Sequence, residues 1–270
     1  MISLTVDIEQ FDPADGRGRY IRVLEPLLQR LDEWKSRATF FVVGELVSQS
    51  APLLRLLHQN GHEIALHGYT HRFLRDLHHD EFEREVAQGR DAIEQLVQTP
   101  VVGFRAPYFS LTKETPWAPL VLAASGFAYS SSVLPARNPQ AGFRTAPREP
   151  FFWPSGVVEF PAPTFGLGSY RLPLIGGAYV RLAPSFLISL AKRSASKSPA
   201  PWTYCHPYDF DSEEKFHKRD GDGWLFSKLL FARREIMLER ISYLVGEGSP
   251  CLRDLALSEH FRKTLSVWNP

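Results

Sequence analysis

Short, almost wholly apolar runs alternate along the first half of this chain with longer stretches in which apolar residues recur every three or four positions. The short runs predict buried strands and the longer ones amphipathic helices. Ile2-Ser3-Leu4-Thr5-Val6 reads as a first strand that ends at Asp7. Phe11 to Arg19, rich in Asp, Pro and Gly, reads as a loop. Tyr20 to Lys35 places Ile21, Leu24, Leu27, Leu28, Leu31 and Trp34 at helical spacing. Ala38 to Val43 is a second strand, and Gly44 to Asn60 a second helix closed by Gly61. A third strand covers His62 to Leu66, a helix Asp80 to Val97, and a fourth strand Val101 to Arg105. Trp117 to Ser125 is helical, with Gly126 just past its end, and Phe127 to Val133 is the next strand. Strand and helix in repeated alternation with short connections predict a parallel sheet with crossover helices, either a barrel or an open doubly wound sheet.

The second half is less regular. Asn138 to Pro173 is rich in Pro and Gly and holds one predicted strand, Val157 to Phe160. Gly176 to Tyr179 reads as a turn, Ser185 to Lys192 as a helix, and Trp202 to Pro207 as a late strand ending in His206. Asp209 to Gly223 is polar and reads as a surface loop, and Lys228 to Leu244 as one long helix. There is no internal repeat.

Composition narrows the function classes. The 270 residues, 44% of them hydrophobic, suit a single globular domain spanning the chain. Lys and Arg number 31 against 30 Asp and Glu, which argues against nucleic acid and against an anionic membrane surface as partners. Cys205 and Cys251 form neither a disulfide framework nor a cysteine zinc site. The first strand begins at Ile2, with no basic and apolar leader before it, so a cytoplasmic location is expected. No apolar run is long enough to span a bilayer, because Leu182 to Ala191 is interrupted by Pro184 and Ser185. Nothing in the sequence sets the oligomeric state.

Candidate chemistry gathers at strand ends, where α/β folds carry their sites. His67 follows the third strand, and His71 lies four residues on, one helical turn away if the segment is helical. Two imidazoles at that spacing can reach one ion, although by spacing alone they read equally well as surface histidines. Asp7 and Glu9 share one face of an extended strand. Arg105 and His206 end two further strands.

Taken together, these residues resemble the polysaccharide deacetylases, the NodB-homology carbohydrate esterases. The likeness covers roughly residues 1 to 210. His67 and His71 match the family's His-x-x-x-His motif, and Arg105-Ala106-Pro107-Tyr108 matches Arg-x-Pro-Tyr. Tyr204-Cys205-His206-Pro207 is similar to the late histidine motif, and Gly176 to Leu182 is similar to a Gly-rich run of a subgroup found in exopolysaccharide loci. The resemblance implies a distorted (β/α)7 barrel, with 224–270 as a C-terminal helical extension.

It also implies roles. Asp7 would be the general base, paired with Arg105 that holds it ionised. Glu9, His67 and His71 would hold one divalent metal, zinc first, with cobalt, nickel or iron also suited to such donors. The Tyr108 backbone N–H would stabilise the oxyanion, and His206 would protonate the leaving amine. Apart from the resemblance, Glu159 reads equally well as the group that orients His206 or as a solvated or structural acid. The implied activity is removal of an acetyl or formyl group from an amino sugar in surface-polysaccharide or O-antigen-type assembly, on a nucleotide-linked or lipid-linked sugar. Two departures stand out. The carboxylates are Asp7-Ile8-Glu9 rather than adjacent, and Ser130 precedes Ser131-Ser132-Val133 where Asp is usual, which is expected to alter substrate contacts. Glu9 points to a metal-independent, allantoinase-like hydrolase of cyclic amides as an alternative; a catalytically inactive glycan-binding member is another. Phe151, Phe152, Trp153, Phe165 and Tyr170 read either as a sugar-stacking groove or as core and loop anchors. His62, His78, His79, His217 and His260 read as structural or solvent-facing.

Overall fold

Alternating side chains of β1 (Ser3–Ile8) divide between two environments. Leu4, Val6 and Ile8 pack outward with Leu24, Leu27 and Leu31 of α1 (Arg19–Glu33), while Thr5 and Asp7 face the opposite side. The computed structural model describes residues 1–9, 19–167, 170–218 and 223–270. The loop expected at Phe11 to Arg19 falls almost wholly outside the described residues.

The same two-sided burial organises the next elements: β2 (Ala38–Val42), α2 (Ala51–Gln59), β3 (Glu63–Leu66), α3 (His79–Val97), β4 (Gly103–Phe104), α4 (Ala118–Ala124) and β5 (Tyr129–Ser130). Then follow β6 (Phe151–Phe152), β7 (Val158–Glu159), the hairpin β8 (Phe165–Leu167) and β9 (Tyr170–Leu172), α5 (Ala178–Leu182), α6 (Ser185–Ala195) and β10 (Trp202–Cys205). The chain ends in α7 (Trp224–Phe231), α8 (Met237–Leu244), α9 (Leu252–Leu257) and α10 (Glu259–Arg262).

The main sheet runs β10-β1-β2-β3-β4-β5-β7-β6. Every neighbouring pair from β10 to β7 is parallel, and only β6 is antiparallel, at the edge. Seven parallel strands therefore form the expected curled (β/α)7 array. Among the described residues β10 and β7 share no ladder, so the barrel stays open between them. Inside it, Phe41, Ala65, Tyr129, Val158, Phe160, Trp202 and Tyr204 pack with Leu252, Ala256 and Phe261 of α9 and α10. These helices seal the end opposite the strand C-termini. Two amides of the first turn of α9 are satisfied there: Leu252 N donates to Thr39 Oγ1 at 2.9 Å and Arg253 N to Glu63 Oε2 at 2.9 Å. No helix among the described residues is long and apolar enough to cross a membrane.

Several elements differ from expectation for identifiable reasons. The helix expected from Gly44 begins only at Ala51, because Pro52 lacks an N–H and fits only a first turn. The long helix expected over Lys228 to Leu244 is broken into α7 and α8. Ala232 is extended and Arg233 has φ 58°, and the buried Arg181 guanidinium takes the carbonyls of Leu229, Leu230 and Ala232 that a continuous helix would use. The strand expected to reach Val133 stops at Ser130, because Ser131 and Ser132 turn to hold the neighbouring loop. The predicted polar surface loop from Asp209 begins instead with a buried turn, Pro207–Phe210. Residues 219–222 of that loop lie outside the described residues.

Candidate active site

The C-terminal ends of β1, β3, β4 and β10 bring Asp7, Glu9, His67, His71, Arg105 and His206 to one mouth. Arg105 is its fixed point. Its side chain is fully buried between the rings of Phe41 and Trp202, 4.0 and 4.6 Å from the two centroids. Nη1 donates to Asp7 Oδ1 at 2.5 Å and to Thr5 Oγ1 at 2.9 Å. Nη2 donates to Ser131 Oγ at 3.0 Å, and Nε to the Ser131 carbonyl at 3.3 Å. A guanidinium removed from water needs such a full set of acceptors, and Asp7 supplies the countercharge.

His67 and His71 meet in a tight loop rather than on a helix. Gly68 has φ 65° and His71 φ 55°, so the chain reverses within five residues. A Cβ at Gly68 would stand 3.1 Å from the Pro107 ring, so this loop interlocks with the one after β4. His67 Nδ1 lies 3.0 Å from the Arg105 carbonyl, which selects the Nδ1–H tautomer and leaves the Nε2 lone pair facing the acids. Nε2 is 3.9 Å from Glu9 Oε2 and 4.0 Å from Asp7 Oδ2. Burial lowers the His67 pKa to about 4 against the opposing pull of Asp7, so the imidazole is neutral near pH 7.

His71 Nε2 sits 2.7 Å from Glu9 Oε2, yet it is buried and makes no well-directed hydrogen bond. One donor atom each from Glu9, His67 and His71 lies within 4.8 Å of the other two. Two imidazole nitrogens and a carboxylate oxygen at that spacing, one nitrogen being orphaned, fit a single tetrahedral ion with an open fourth position. Burial alone would raise the Glu9 pKa, but His206, His71 and His67 hold its carboxyl well below the usual carboxylate range.

On the other side of Glu9, His206 places Nε2 at 3.9 Å from Glu9 Oε1. Its Nδ1 is held at 3.0 Å by Asp209 Oδ2, which also accepts from the His206 backbone N–H at 2.9 Å. Tyr208 stacks on the ring, with centroids 4.6 Å apart. Burial works against the charge on His206, but Glu9 and Asp209 outweigh it and raise the pKa to about 9. Asp209 is in turn paired with Arg181 at 3.0 Å, and both side chains are fully buried. Thus Arg181, Asp209 and His206 form one chain of charge-assisted contacts ending at the mouth.

Asp209 replaces Glu159 in the role expected of the latter. Glu159 is consumed by the backbone N–H groups of Ser132 and Val133, at 2.6 and 3.0 Å, and by Trp153 Nε1 at 3.0 Å. The sequence held a signal for Asp209: Pro207 at the first position of a turn and an acid three residues after His206 describe a capping box, and the turn has one. Arg181 lay in a run noted only for its family likeness. Ser130 is fully buried, so it does not touch substrate; its Oγ donates to Ser132 Oγ at 2.8 Å, and Ser132 Oγ accepts the Ala106 N–H at 2.8 Å. Its effect is on the 105–108 loop.

The Tyr108 side chain is half-exposed and stacks on Phe73, with centroids 4.1 Å apart, beside His71 at 4.9 Å. Its backbone, at φ 59°, turns at the mouth. Phe151 and Trp153 are core residues packed with Trp268, whereas Tyr170 is 84% exposed. His62 is buried at the N-terminal end of β3, where its Nδ1 accepts the Ala38 N–H at 3.2 Å, so its role is structural.

Residues 1–124 match a family model described as polysaccharide deacetylase, and residues 131–249 match a domain of unknown function (DUF3473). A chitooligosaccharide deacetylase from Rhizobium leguminosarum bv. phaseoli is 35% identical over 111 residues, 40% of this chain and 45% of that protein. A peptidoglycan-N-acetylglucosamine deacetylase from Bacillus cereus is 28% identical over 97 residues, 36% of this chain and 34% of that protein. The matched segments thus span less than half of either relative. A crystal structure from Mycobacterium smegmatis, of a protein provisionally named a polysaccharide deacetylase, superposes with a TM-score of 0.63 at 21% identity. That likeness covers 100% of this chain and 92% of the other, and it establishes the fold.

Proposed function

From its membership of the polysaccharide deacetylase family, carried by residues 1–124, we propose that this chain is a metal-dependent hydrolase that removes an N-acetyl or N-formyl group from an amino sugar in surface-polysaccharide assembly, the sugar being free, nucleotide-linked or lipid-linked. One observation carries the reading. A three-donor cluster, Glu9, His67 and His71, lies between an arginine-locked carboxylate, Asp7, and an aspartate-locked imidazole, His206.

Zinc held by Glu9, His67 and His71 would supply Lewis acidity and lower the pKa of water toward ~7. Asp7 takes a proton from the water as it attacks the acyl carbon, and Arg105 keeps the carboxylate aimed. The Tyr108 backbone N–H donates to the developing oxyanion. His206, whose charged form Asp209 stabilises, gives its proton to the nitrogen as the C–N bond breaks. Asp209 fixes which ring nitrogen faces the mouth.

The 2.7 Å approach of His71 to Glu9 favours a second reading, in which the two stay in direct contact with no ion between them and the substrate is a cyclic amide. Metal content separates the two. Protein purified without chelator should carry about one equivalent of metal by plasma mass spectrometry, and His67→Ala should lose it. Acetate or formate release from acylated amino sugars should then vanish in Asp7→Asn. No metal in either protein after soaking with zinc would overturn the metal-dependent reading.

A further inference from the structure

Charge is almost balanced over the whole chain but not over residues 131–175, which hold Arg137, Arg144, Arg148 and Arg171, no Lys or Asp, and two Glu. Both glutamates are engaged. Glu159 is buried in the contacts described above, and Glu149 Oε2 accepts from Ser198 Oγ at 2.5 Å. This basic segment forms a cavity of about 790 Å³ lined by Arg137, Asn138, Phe165, Tyr170, Arg171 and Leu172. A smaller cavity of about 100 Å³ shares Phe165 and Arg171 and adds Arg148 and Glu149.

The walls leave the sheet at the same end as the acids and histidines. Ser131, which holds Arg105, follows β5 and leads to Arg137; Ala162, after β7, donates its N–H to the Val133 carbonyl at 2.8 Å and leads to the β8–β9 hairpin. Arg137 is exposed and has no ion-pair partner among the described residues. Arg171 lines both cavities. Tyr170, 84% exposed, offers a flat face for a sugar ring.

We propose that this cavity is a subsite for an anionic sugar unit, bearing a carboxylate or a phosphate, that binds alongside the amino sugar being deacylated. Guanidinium forks bind both anions through paired charge-assisted hydrogen bonds. The volume lies within the range of small-ligand sites and accommodates a sugar with its anionic group. The substrate class named here rests on the deacylase reading, but the binding does not require turnover.

The test is calorimetric titration of full-length Asp7→Asn protein, which removes the general base, with trigalacturonic acid, glucose 1-phosphate and neutral chitotriose. At least one anionic probe should bind, and R137A/R171A should weaken it about tenfold or more and flatten its salt dependence. R137K/R171K, which keeps the charge and loses the fork, should fall between, and chitotriose affinity should not change. Binding by trigalacturonic acid identifies the carboxylate and binding by glucose 1-phosphate the phosphate. Binding of neither, or equal binding to R137A/R171A, overturns the subsite. Arginine-dependent anion binding in a protein that deacylates nothing would instead sink only the deacylase reading.

Discussion

Substituting Asp209→Asn removes the charge that holds His206 while preserving the shape of the side chain. In the wild-type structure the His206 pKa rises from 6.5 to about 9 although burial alone would lower it. At ~1.4 kcal/mol per pH unit, that rise corresponds to roughly 3 kcal/mol favouring the charged ring. A raised folded-state pKa gives stability that is fully present below pH 6.5 and lost as pH rises through 9. Asp209 provides one ionic hydrogen bond to the ring, 3.0 Å long, and such a bond contributes ~1.5–3 kcal/mol. The substitution should therefore lower the His206 pKa by about one to two units. The assay is an NMR titration of the His206 ring in metal-free protein, followed by the pH dependence of kcat for the loaded enzyme. The basic limb of kcat should move down with the titration midpoint. A midpoint within half a unit of wild type in a folded variant would refute the assignment of Asp209 as the group that sets this proton. Asp209→Asn also leaves Arg181 with one countercharge fewer, so a thermal melt must accompany the titration.

Three further outcomes are expected. Arg105→Lys keeps the charge but cannot reach Asp7, Thr5 and Ser131 together; kcat should fall on the order of a hundredfold with the circular dichroism unchanged, and wild-type turnover would remove Arg105 from the positioning of Asp7. Burial raises the Glu63 pKa above 4.5, so its contribution to stability is full below pH 4.5 and lost as pH rises through the folded-state pKa. Glu63→Gln should flatten that dependence in denaturant titrations at several pH values. Glu63→Leu should instead cost about 3 kcal/mol, because Thr39, Tyr129 and the Arg253 N–H lose their acceptor. Gly177→Ala puts a side chain at φ 51° with its Cβ 3.1 Å from the Tyr204 ring and 3.7 Å from His206 Cε1. It should lower stability by ~1–2 kcal/mol and shift the His206 titration; a variant matching wild type in both would show that this turn adapts freely.

The periodicity of Leu4, Val6 and Ile8 against Leu24, Leu27 and Leu31 was enough to establish a parallel strand–helix array, because each of those elements buries one continuous face. Positions at strand ends, taken with the family resemblance, drew attention to Asp7, Glu9, His67, Arg105 and His206, since local strand ends carry them whatever the remaining contacts are. What the spacing misrepresented was geometry that depends on backbone conformation. His67 and His71 converge through positive φ at Gly68 and His71, not through a helical turn. The long C-terminal helix was legible as an apolar pattern, but its break depends on Arg181, some fifty residues earlier, taking its carbonyls. The choice of Asp209 over Glu159 as the partner of His206 had the same origin. Both are buried acids in the second half of the chain, and only the packing of β7 against β5 decides that Glu159 is already spent on the Ser132 and Val133 amides. Local sequence determines which element a residue joins and which face it shows. Pairings between distant buried charges are decided by three-dimensional proximity, where each charge must find a partner or pay the full cost of desolvation.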